Sequence, residues 1–169
     1  LLPTGELVLS LVGLLCLVLL FEAVPEELIF RGYLFTNLNT VMSAWLTVVA
    51  QAVLFTLFGT ALWVLAEGWD VLAERGPLFF GLAVVLGCLR VVTGNVWACV
   101  GFHLAFQSVA QAVLNDELLT IRGDQDVFML CLLLPFVFGV LVTVLLTRRG
   151  GDWGVRVPDD PASVRSRPN

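Results

Sequence analysis

Lysine is missing from this chain altogether: its nine basic residues are all Arg, and 14 acids outweigh them to a net charge of −5. That balance leaves no basic patch of the kind nucleic-acid binding needs, so no nucleic-acid partner is expected. Charge of either sign is scarce, at 14% of residues, against about 25% in an ordinary soluble domain. Too little polar surface remains to wet a globule. Cysteine is not absent, but Cys16, Cys88, Cys99 and Cys131 all lie inside apolar blocks and match no zinc-motif spacing. They read as small hydrophobes.

What the chain does have is apolar length. Hydrophobic residues make up 59% with a mean hydropathy of +0.95, and they fall in runs that a small soluble core cannot absorb. Since about 20 apolar residues cross the hydrocarbon core, five blocks are expected to span: about Leu7 to Val24, Val41 to Ala66, Pro77 to Thr93, Val96 to Leu114 and Val127 to Thr147. The expectation is an all-α, polytopic transmembrane bundle of about five spanning helices plus a separate helix carrying Glu26, Glu27 and Arg31, with residues 1–147 embedded and the lipid bilayer as solvent. The first block has neither the basic flank nor the small-residue cleavage site of a signal peptide. The chain opens on Leu1 rather than Met, as a piece of a longer protein with earlier helices would. Gly76–Pro77 and Thr93–Asn95 read as turns between helices. Residues 148–169, rich in Gly, Pro and charge, read as a polar, mobile tail. Arg31, Arg90, Arg148 and Arg149 fall on one side of the alternating blocks, which the positive-inside rule makes cytoplasmic, with the C-terminus there too.

Several polar residues are out of place in such a chain. Glu26, Glu27 and Arg31 stand among Leu28, Ile29, Phe30, Tyr33 and Leu34. An ion at membrane depth costs about 2.5–3.5 kcal/mol on insertion scales, so such residues are usually functional. Glu27 and Arg31, four apart, share a helix face and can pair. Glu26 points about 100° away and is left available for chemistry. A plainer reading also fits: Pro25 suits the first position of a helix, and two acids in the next turn suit its positive end. The fourth block tilts the balance. It carries the only histidine, His103, with Gln107 and Gln111 following at i+4 and i+8 as a polar stripe. A neutral imidazole there can accept a proton, stabilise an oxyanion or bind a metal.

Glu26-Glu27-Leu-Ile-Phe-Arg31 resembles the Glu-Glu-xxx-Arg motif of the CAAX-processing and bacteriocin-processing membrane proteases, the CPBP or Abi family. The run from Gly94 to His103 looks like that family's later His motif, which usually ends His-xxx-Asn. The resemblance covers roughly residues 10 to 115. It implies a helical cavity open to the cytosol, in a microbial plasma membrane, and intramembrane endopeptidase chemistry on a peptide or protein substrate. That chemistry is described as metal-dependent, through zinc or another divalent ion, or as a metal-free glutamate mechanism. It also implies roles: Glu26 as general base, Glu27 with Arg31 orienting the motif helix, His103 as metal ligand or oxyanion stabiliser, and Gln107 assisting. A metal, if bound, would take His103 and Glu26.

Two departures stand out. The family's intervening Phe-xxx-His motif keeps Phe55, but Gly59 occupies the His position and leaves a space that water could fill. Gln107 stands where Asn is usual. A zinc site wants three protein ligands, and only two candidates remain. The alternative is therefore a catalytically impaired member acting as a membrane binding or scaffold protein. A small transporter using the same carboxylates ranks last, because the paired broken helices of transporters are not evident.

Overall fold

The computed structural model describes residues 4–114, together with 136–139, 141, 142, 144, 145, 153 and 154. Among them every regular element is helical, and no strand occurs. Three stretches are long and apolar enough to cross a membrane: Gly5–Val41, Ala44–Ala61 and Asp70–Thr93. The expected fifth block and the tail fall almost wholly outside the described residues.

The first stretch differs from the sequence expectation. The first block and the Glu-Glu segment are one continuous helix, built as α1 (Thr4–Leu17), a π turn (Val18–Ala23), α2 (Val24–Glu27), a second π turn (Leu28–Leu34) and α3 (Phe35–Val41). Pro25 thus lies mid-helix and starts nothing; the residue before α2, Ala23, is itself helical. A mid-helix Pro lacks the N–H for an i→i−4 bond and crowds the preceding turn. The π turn ahead of it absorbs the defect by widening the register, so that the Val24 N–H reaches back five residues to the Leu19 carbonyl. Such π insertions are rare and often mark functional sites.

After the bend at Met42–Ser43 come α4 (Ala44–Glu67), α5 (Asp70–Thr93) and α6 (Val96–Leu114). Blocks two and four coincide with α4 and α6 to within a few residues. Block three was placed too late: Gly76 and Pro77 lie inside α5, and the turn falls earlier, at Gly68, whose φ of 96° only Gly adopts without strain. Gly94, at φ 64°, closes α5 with its N–H on the Arg90 carbonyl, a left-handed helix cap.

Burial is inverted relative to a soluble protein. Leu9, Phe21 and Leu65 are 73%, 72% and 84% exposed, whereas Glu27, Arg31 and Gln51 are each 0% exposed. Apolar side chains face outward, as in lipid, and polar groups are gathered inside, where Glu27, Arg31 and Gln51 each make a hydrogen bond while Glu27 Oε2, Arg31 Nε and Gln51 Oε1 have no partner among the described residues. The α4–α5 pair packs closely through small residues, notably Ala52, Ala83 and Gly87, as membrane helices do without a hydrophobic drive between them. A Cβ on Gly87 would lie 2.6 Å from Gln51 Nε2 and 3.0 Å from Val48 Cγ1. Gly87→Val is therefore expected to part the two helices and lower stability by about 1–3 kcal/mol, measured as unfolding in detergent; an unchanged midpoint would show the contact to be slack.

Candidate functional site

The polar interior centres on Glu27. Its Oε1 accepts hydrogen bonds from Arg31 Nη1 at 2.9 Å and from His103 Nδ1 at 2.8 Å. The first contact follows from i,i+4 spacing on one helix; the second joins residues 76 positions apart. An ionised carboxylate has no proton to give, so the Nδ1 of His103 must carry one. Its Nε2 then faces the other way, toward Glu26 Oε2 at 3.9 Å. The imidazole therefore occupies the wedge between two adjacent carboxylates whose side chains diverge around the helix. The Glu26 carboxylate is the accessible one of the pair, 26% exposed against 0% for Glu27.

Aromatic and backbone groups complete the enclosure. The Arg31 guanidinium lies 4.5 Å from the centroid of the Phe55 ring, and Phe55 meets His103 edge-on at 6.2 Å, so a single ring buttresses both. Arg31 Nη2 donates to the Ala83 carbonyl at 3.3 Å, an oxygen that also accepts from Gln51 Nε2 at 2.8 Å. Arg90 Nε donates to the Arg31 carbonyl at 3.0 Å, which puts these two arginines at one level of the bundle.

Glu26, Glu27, Arg31 and His103 are thus brought together. Gln107, one turn beyond His103, is half-buried and makes no hydrogen bond among the described residues. Gln111 instead bonds to Glu22, its Nε2 lying 2.8 and 3.0 Å from the two carboxylate oxygens. Glu22 and Gln51 escaped the sequence reading. Each is a polar residue inside an apolar block, and Glu22 stands four residues before Glu26 on the same face, a signal that was available.

Gly59 does not leave the room expected of it. A Cβ there would lie 2.8 Å from Phe79 Cδ1, so the Phe79 ring, not water, fills the place. Among the described residues no group of three or more His, Cys, Asp and Glu side chains is arranged to hold a metal. Glu26 and His103 supply two donors where zinc wants three, so the described donor set does not fit that ion.

Breaking the buried ion pair should be costly. Arg31→Met strands Glu27 and is expected to destabilise by about 3–5 kcal/mol, with the double variant Glu27→Leu/Arg31→Met recovering much of that. A double-mutant cycle on unfolding measures both; additive losses would mean that the pair contributes no coupling.

No curated protein and no solved structure matches the chain. A family model does, over residues 8–109, described as type II CAAX prenyl endopeptidase Rce1-like. That span takes in both acids, Arg31 and His103 and covers more than half the chain. This integral membrane protein belongs to the Rce1-like family of type II CAAX prenyl endopeptidases.

Proposed function

We propose that this protein is an intramembrane endopeptidase of the CAAX-processing type, working with Glu26 as general base and His103 as oxyanion stabiliser. The observation that carries the reading is the buried imidazole held between the accessible Glu26 and the buried Glu27. A water placed between Glu26 Oε2 and the substrate carbonyl gives its proton to Glu26 as its oxygen attacks. Glu26 later returns that proton to the departing amine. His103, as imidazolium, donates from Nε2 to the oxyanion, and Glu27 stabilises that cation through Nδ1–H. Arg31 holds Glu27 in turn, and Gln107 lies one turn away to contact substrate. A divalent metal taken by Glu26 and His103 would polarise the same carbonyl, but a third ligand is wanting among the described residues. By the positive-inside rule the side carrying Arg31 and Arg90 would face the cytosol, where a peptide substrate would enter.

A second reading has its own observation. The family's His position is Gly59 with Phe79 packed over it, which favours a member that binds peptides at the membrane without cleaving them.

Cleavage of a prenylated peptide by the purified protein in lipid vesicles separates the two. On the first reading wild type cleaves, and Glu26→Gln falls by about 10²–10⁴-fold, the usual worth of a general base; a Glu26→Gln protein as fast as wild type would remove Glu26 from that role. Gly59→His alone is expected to leave turnover and metal content unchanged, because Phe79 blocks the imidazole. Gly59→His/Phe79→Ala makes the room, and metal analysis of both variants reads the difference.

A further inference from the structure

The contact between Gln111 and Glu22 has no part in the chemistry above, yet it joins the same two helices that bring the acids and the imidazole together. Among the described residues, side-chain hydrogen bonds tie α6 to the first helix through only two residue pairs: His103 with Glu27, and Gln111 with Glu22. They lie eight residues apart on α6, about 12 Å along its axis. In lipid, apolar faces give helices little reason to prefer one rotation or slide over another, since acyl chains solvate them equally well. Polar contacts therefore set the register. One such contact leaves a helix free to pivot about it; two at this separation do not.

Resting on the site reading given above, we propose that Glu22 and Gln111 are a positioning pair that holds α6 in the register laying His103 between Glu26 and Glu27. The pair is well made for this. Glu22 accepts with both oxygens from a single amide nitrogen, a neutral donor on a charged acceptor, which is directional and stronger than a neutral pair. Neither residue makes a hydrogen bond to Glu26, Glu27 or His103; Gln111 acts on them by placing the helix, and Glu22 does so while also acting on Glu26 through its charge.

His103 is the only histidine in the chain, so ring-nitrogen NMR of histidine-labelled full-length protein in lipid nanodiscs reports this one side chain, whether or not peptide is cleaved. Wild type should show a single species with Nδ1 protonated and bonded to carboxylate. Gln111→Ala and Glu22→Ala should each displace or split that signal. On a prenylated peptide they should lower kcat by about 10- to 100-fold, the effect of an ångström-scale misplacement, with KM within about twofold of wild type. The exchange Glu22→Gln/Gln111→Glu keeps one carboxylate facing one amide, and should return both the signal and kcat toward wild type. An unaltered His103 signal in a folded Gln111→Ala protein overturns the proposal. So does an exchange variant that folds but keeps the displaced signal, which also covers alanine variants that fail to fold. If wild type cleaves nothing while the NMR responds as stated, the peptidase reading fails and the positioning pair stands.

Discussion

One oxygen organises this molecule. Glu27 Oε1 accepts from a guanidinium on its own helix and an imidazole on another, in an interior where neither charge could stand alone. An isolated carboxylate or guanidinium would pay a desolvation penalty of several kcal/mol. Satisfying both at one atom ties the first helix to α6 at the level of His103. The tautomer of His103 follows from the same contact, and so does the direction in which its second nitrogen looks. Glu26, adjacent in sequence but turned away from the pair, is left with an accessible carboxylate.

That arrangement needs room, and the room comes from what α4 and α5 lack. Ala52, Ala83 and Gly87 carry little or no side chain where the helices meet, so Arg31 and Gln51 can both reach the Ala83 carbonyl. The opposite choice is made one turn beyond Phe55. There the small residue, Gly59, is matched by a large one, Phe79, and the result is packed rather than open. Small residues therefore serve two ends in one hairpin, making space for a cation in one place and admitting an aromatic ring in another.

Much of this was legible in the residues themselves. Contrast between apolar runs and polar breaks placed α4 and α6 closely, because hydropathy and helix ends coincide there. The same rule failed at α5, which carries Asp70, Glu74 and Arg75 in its first turns; these charges read as loop, but a helix of 24 residues is about 36 Å long and outruns a hydrocarbon core of about 30 Å. Pro25 misled in a different way. Proline ordinarily opens or breaks a helix, and the π turn that lets the helix continue leaves no trace in local sequence. At the site, the Glu27–Arg31 spacing announces its own contact. The meeting of His103 with both acids is tertiary, and no spacing encodes it; there, likeness to a known motif supplied what periodicity could not. Gln51 is a lone polar residue in a greasy run, without a neighbouring charge to draw notice, whereas Glu22 stands four residues before Glu26 and could have been read from that spacing.

The local character of the ion pair bears on how such a chain is made. Helices leave the ribosome in order, and the first must enter the bilayer before α6 has been synthesised. Had Glu27 depended on a distant cation, that first segment would meet the membrane with its acid uncompensated. With Arg31 a single turn away, the segment carries its own neutraliser during biogenesis, and His103 arrives later at an acceptor already held in place.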